Sequence, residues 1–239
     1  MICIRRCRSG SGLSGRAGGV SGERPAAACG ILAVAAIVSV LATGSARAED
    51  TGAAIAANGA PAGVPACASC HGAQGEGNAA AGFPRLAGLS APYIQAQLTA
   101  FASGRRDNPV MMPVAKMLNA DQAGAVAAYY AHLPGPALPK AIPAATSPGA
   151  ILALDGRWSD GIPACVACHG PDGIGVGTAF PPLAGQPAGY LKAQLEAWQQ
   201  DKRPPGPLGL MGAVAKRLTA ADVADVTHWF ATLTGGAGK

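Results

Sequence analysis

Aromatic residues make up only 5% of this 239-residue chain, and charged residues only 13%. A chain of this length can form one large domain or two small ones. So few large side chains leave such domains short of core volume. A bulky apolar group from outside the sequence is the expected filling. Sustained alternation of apolar and polar residues is also missing, which argues against a sheet-based fold.

Long membrane-spanning runs are missing as well. The most apolar stretch, GILAVAAIVSVLATG at 30–44, falls short of the ~20 residues a spanning helix needs. Arg5, Arg6, Arg8, Arg16 and Arg24 precede it, and Ala46-Arg47-Ala48 follows. A basic region, a short apolar stretch and an A-x-A site mark a secretory signal peptide. Cleavage is expected after Ala48, with delivery to the periplasm. Without residues 1–48, Lys+Arg falls from 18 to 12 and Asp+Glu from 13 to 12, so the formal +5 becomes zero. The apparent basicity belongs to the leader and gives no reason to expect nucleic-acid binding.

Cysteine is scarce too, and its placement is informative. Cys3, Cys7 and Cys29 lie in the leader. The remaining four fall in ACASCHG (66–72) and ACVACHG (164–170). Two disulfides suit an oxidising compartment but leave the adjacent histidines unexplained. A zinc ribbon expects its CxxC pairs about 15–20 residues apart, whereas Cys70 and Cys165 are 95 positions apart. A thioredoxin-like pair expects a βαβ setting, which neither half offers. Covalent haem attachment uses every residue of the motif. The two thiols add across porphyrin vinyl groups, and the histidine coordinates iron. Two covalently bound haem c groups are therefore expected, on Cys67, Cys70 and His71 and on Cys165, Cys168 and His169.

The rest of the chain repeats around these motifs. AGFPRLAG (81–88) matches TAFPPLAG (178–185), and APYIQAQLTAF (91–101) matches AGYLKAQLEAW (188–198). VMMPVAKMLNADQ (110–122) matches LMGAVAKRLTAAD (210–222), and VAAYYAHL (126–133) matches VTHWFATL (226–233). The second copy carries about three extra residues in RPPGPLG (203–209). A duplicated domain explains the pattern. The expected division is a signal peptide at 1–48, domains at 49–136 and 149–239, and a proline-rich linker at 137–148. Tyr93, Ile94, Leu98 and Phe101, matched by Tyr190, Leu191, Leu195 and Trp198, recur at helical spacing. Asn119 and Thr219 suit helix N-caps. The fold class is all-α.

Iron needs a sixth ligand. Outside the leader the chain has Met111, Met112, Met117 and Met211. The second copy holds only Met211, and register pairs it with Met111. Met112 falls opposite Gly212 and stays a rival; Met117 falls opposite Arg217. His132 and His228 do not align and read as incidental. Pro84 and Pro181 follow the two motif histidines by about a dozen residues, where a carbonyl could accept the second ring N–H.

Taken together, PACxxCHGxxGxG, FPxLAG, YxxxQL, Met-x6-Leu and a last helix with paired aromatics resemble the dihaem cytochromes c of the c4 type, over residues 49–239. The resemblance implies two tandem cytochrome c-like domains related by a pseudo-twofold, with haem propionates near their interface. It implies metal ligands His71 and Met111, and His169 and Met211. It also implies a monomeric periplasmic electron carrier, free or loosely membrane-associated. Its partners would be redox proteins such as a membrane oxidoreductase or terminal oxidase. Two alternatives are the cytochrome subunit of a dehydrogenase complex and a haem enzyme with one open iron site. A candidate methionine in both copies disfavours the second.

Overall fold

The computed structural model describes residues 51–139 and 145–234. The expected signal peptide and positions 140–144 of the linker lie outside the described residues. Two small helical halves follow one another and repeat one plan. The first consists of α1 (51–58), α2 (Ala68–His71), α3 (Ala91–Ala102), α4 (Met111–Met117) and α5 (Ala120–His132). The second consists of α6 (Pro148–Leu154), α7 (Cys165–His169), α8 (Ala188–Gln199), α9 (Leu210–Ala215) and α10 (Ala220–Thr232). Among the described residues β-structure is limited to isolated bridges, such as Asn78–Phe83 and Val176–Phe180.

The last helix of each half starts where the sequence places a cap. Asn119 accepts from the Gln122 N–H at 2.9 Å, and the Gln122 side chain accepts from the Asn119 N–H at 3.0 Å. Thr219 and Asp222 make the same reciprocal pair at α10. Each box satisfies N–H groups that a helix start leaves without partners. Asp222 also accepts both ends of the Arg157 guanidinium, at 2.9 and 2.8 Å. That pairing, helped by Thr219, holds its carboxyl well below the usual carboxylate range.

First and last helices of each half meet at a glycine. A Cβ on Gly149 of α6 would lie 2.2 Å from the Asp225 carbonyl oxygen in α10, and one on Gly52 of α1 would lie 2.1 Å from that of Ala125 in α5. Alanine gains at most about 1 kcal/mol of helix propensity over glycine. A clash with backbone has no rotamer to relieve it, and overpacking costs about 1–3 kcal/mol. Gly149→Ala is therefore expected to destabilise the second half by about 1–2 kcal/mol. Amide hydrogen exchange in α6 and α10 measures this; unchanged protection there would count against a tight crossing.

Both cores are small. In the first, Ile55, Ile94, Val126 and Tyr130 are buried together; in the second, Leu152, Ile162, Leu191, Val226 and Phe230. Tyr129 packs on Tyr130, and Trp229 on Phe230, in tilted or edge-on pairs with ring centres 5.1 and 4.9 Å apart. Leu138, from the described part of the linker, leans on the second core. Between the halves runs a polar seam. The Gln186 side chain accepts from the Arg85 N–H at 3.0 Å and donates to the Arg85 carbonyl at 2.9 Å. The Arg85 guanidinium donates to the carbonyls of Ala87 and Ala184. These bonds supply the residues of the interface that the resemblance implies without naming them.

Candidate functional site

Each CxxCH motif folds as a short helix, Ala68–His71 or Cys165–His169. A spacing of three puts both cysteines on one side of that turn. The helix ends at once, at Gly72 (φ 85°) and Gly170 (φ 79°). The chain then curls back, and the N–H of Gly77 or Gly175 donates to the carbonyl of His71 or His169 at 2.7 Å. All four thiols are unbridged. Burial raises the Cys67 thiol and pushes the Cys165 thiol up to about 12, so the apolar surroundings disfavour a thiolate.

His71 and His169 are buried, each 6% exposed. The Nδ1–H of His71 donates to the Pro84 carbonyl at 2.9 Å, and that of His169 to the Pro181 carbonyl at 2.8 Å. The prolines singled out in the sequence do supply the acceptors. With Nδ1 holding the proton, the Nε2 lone pair is left to coordinate a metal. Burial lowers both imidazole pKa values, against the opposing pull of the carbonyls. A lowered value leaves the ring neutral at neutral pH, as a metal ligand must be.

A cavity of about 520 Å³ opens against His71, and one of about 660 Å³ against His169. Both volumes lie in the ordinary range for bound organic groups, about 300–1,000 Å³. Cys67, Cys70, His71 and Met111 share the first wall; Cys165, Cys168, His169 and Met211 share the second. Met112 and Met117 are absent from both walls, and so are His132 and His228, which are exposed. Among the described residues no three His, Cys, Asp or Glu side chains cluster as a metal shell. Two thiols, an oriented imidazole and a thioether around an apolar hollow fit a porphyrin better than a bare ion.

The two methionines are positioned by different devices. Asn108 Oδ1 accepts from the N–H groups of Val110 and Met111, at 3.0 and 2.8 Å. In the second half the extra proline-rich segment does this work. Trp198 Nε1 donates to the Pro204 carbonyl at 2.7 Å, and the Gly212 N–H to that of Pro205 at 3.1 Å.

Comparison with known proteins decides what these cavities hold. The family model for cytochrome c matches residues 50–134 and again 162–234. The chain belongs to the cytochrome c family. This cytochrome is 46% identical over 202 residues to the thiosulfate dehydrogenase electron acceptor of Stutzerimonas stutzeri, across 84% of the chain and 94% of that protein. It is 34% identical over 184 residues to cytochrome c4 of Pseudomonas aeruginosa, across 75% and 90% respectively. A solved thiosulfate dehydrogenase of Marichromatium purpuratum superposes with a TM-score of 0.70 at 45% identity. That likeness covers 77% of this chain and 40% of the longer polypeptide. The cytochrome is thus a dihaem protein of the c4 type with two covalently bound haem c groups, and a c4-like electron carrier.

Sequence reasoning overlooked the arginines at the seam. Arg106 and Arg203 are 6% and 8% exposed, and they lie 97 positions apart. Tyr93 and Tyr190 share that offset, as do Gln97 and Gln194. The common spacing was the available signal.

Proposed function

We propose that Cys67 and Cys70 would hold one haem and Cys165 and Cys168 the other, with His71 and Met111, and His169 and Met211, as the protein ligands to iron. The observation that carries this reading is the duplicated wall: in both halves the cysteine pair, the carbonyl-anchored histidine and one methionine line a single cavity. When bound, each haem supplies an iron that takes up and releases one electron. The chain sets how readily it does so. A soft thioether and an apolar cavity disfavour the more highly charged ferric form and raise the potential. With a histidine and a methionine both available to its iron, each haem would keep no position open for a small substrate, so the proposed role is to carry electrons rather than to turn over a substrate.

The donor is proposed to be a thiosulfate dehydrogenase, supported by the 46% identical acceptor and by the likeness within a longer dehydrogenase chain. Export directed by residues 1–48 would put the exchange in the periplasm, and a membrane oxidoreductase or terminal oxidase is the proposed outlet. No helix among the described residues is long and apolar enough to cross a membrane.

Mixing the oxidised cytochrome with thiosulfate and a catalytic amount of such a dehydrogenase tests this. Ferrous bands of both haems are expected to appear within the dehydrogenase's own turnover time. If the enzyme reduces an artificial acceptor while the cytochrome stays ferric, the donor assignment fails.

A further inference from the structure

Tyr130 carries a hydroxyl that the protein itself does not satisfy. The side chain is 1% exposed, and its oxygen has no hydrogen-bond partner among the described residues. A buried hydroxyl without a partner costs free energy that a phenylalanine would not. The second half shows that the fold can do without it.

Phe230 stands at the matching place in the repeat, held by the same backbone bond. The Gly88 N–H donates to the Tyr130 carbonyl at 3.0 Å, and the Gly185 N–H to that of Phe230 at 2.9 Å. Both rings rest on a glycine of the loop that follows the motif histidine. A Cβ on Gly75 would lie 2.7 Å from the Tyr130 ring, and one on Gly173 would lie 2.6 Å from the Phe230 ring. Between two rings seated so alike, the hydroxyl is the difference to be explained.

Beside it lies Cys67. This residue packs on the core to which Tyr130 belongs and forms part of the first cavity wall. Burial raises the Cys67 thiol while the Tyr130 hydroxyl pulls it the other way, so the two groups are within reach although they form no regular hydrogen bond. A thiol sulfur carries a proton of its own. A thioether sulfur carries none and can only accept. Haem attachment would therefore turn Cys67 into the partner that the hydroxyl lacks.

We propose that Tyr130 donates to the Cys67 sulfur once that sulfur is joined to haem, and so holds the first haem at a higher potential than phenylalanine would. This rests on the haem reading of the first cavity. Acting through Cys67 rather than on iron, Tyr130 is a positioning residue. The sign follows from the O–H dipole. Its positive end faces the sulfur, and positive charge beside the macrocycle favours the less charged ferrous state. Phe230 offers the second haem no such dipole, so the hydroxyl biases the electron of a half-reduced cytochrome toward the first half.

A redox titration of the full two-haem protein, followed by proton NMR with haem signals assigned to each half, tests this. In Tyr130→Phe the first haem is expected to move to lower potential while the second stays. The expected size is roughly a threefold change in the first haem's ferric-to-ferrous ratio, or about 28 mV at about 59 mV per tenfold. Tyr129→Phe deletes the same atom from the neighbouring, part-exposed ring and should leave both potentials at wild type. In the wild-type ferrous protein the Tyr130 hydroxyl proton should exchange slowly and show a nuclear Overhauser contact with the Cys67 β-protons. That measurement decides the matter even if Tyr130→Phe yields no folded protein.

An unmoved first haem in Tyr130→Phe would overturn the proposal, as would an upward shift or an equal shift of both haems. So would an equal effect of Tyr129→Phe, because loss of any hydroxyl from α5 would then suffice. A hydroxyl proton that exchanges freely and contacts only water would mean that solvent satisfies it, which also refutes the bond to sulfur. A haem count precedes every titration. Two haems with an unmoved first potential sink this inference alone, whereas a wild-type chain without haem sinks the reading beneath it.

Discussion

With Cys165 and Cys168 both replaced by alanine, the protein is expected to keep one covalent haem instead of two and to lose the fold of its second half. The reason is volume. Leu152, Ile162, Leu191, Val226 and Phe230 are core residues that also line the cavity of about 660 Å³. An empty hollow costs about 24 cal/mol per Å³, so one of this size would cost on the order of 16 kcal/mol if it stayed dry and closed. Whole domains are stable by only about 5–15 kcal/mol. The half must flood or collapse, and either outcome exposes its core. Acid–acetone extraction followed by a haem assay counts the covalent groups, and limited proteolysis maps the damage. Cleavage is expected within 149–234 while the first half stays protected and coloured. Retention of two extraction-resistant haems would show that these thiols are not the attachment points.

Met211→Ala is the second large effect. Its side chain is the sole thioether of the second copy and shares a cavity wall with His169. The Pro204 and Pro205 carbonyls that anchor the surrounding loop bond to Trp198 and to the Gly212 backbone, so they do not depend on the lost sulfur. The loop should stay in place while its ligand disappears. The far-red ferric band of a methionine–iron bond should fall to half its intensity. The second haem's potential should drop by more than about 59 mV, a tenfold change in its ratio. Met111→Ala should do the same at the first haem, and Met112→Ala should leave both bands intact. A spectrum of Met211→Ala identical to wild type would mean that another group completes that iron.

Much of the site could be read without coordinates because it is local. Two thiols three positions apart with an adjacent histidine share one helical turn in any all-α setting. Pro84 and Pro181 stood out as possible acceptors a dozen residues on, and the folded turn shows that their carbonyls take the histidine N–H. Helix caps at Asn119 and Thr219 are local for the same reason, since the bonds span three residues. Met111 and Met112 were harder to separate. Both sit on the first turn of one short helix, and only its packing against α3 puts Met111 on the cavity wall and leaves Met112 off it.

The sequence by itself determined the duplication, the helical class and the haem chemistry, because these are written in recurring local motifs. The bonds from His71 to the Pro84 carbonyl and from His169 to the Pro181 carbonyl needed the folded turn to be seen. Register favoured Met111, but only the tertiary structure puts it, and not its rival Met112, on the wall of the first cavity, and only the structure shows that the halves share a wall. It also brought Arg106 to Tyr190 and Arg203 to Tyr93, pairs 84 and 110 positions apart. Contacts over such separations depend on how two folded halves dock, and that is a property of surfaces rather than of any motif.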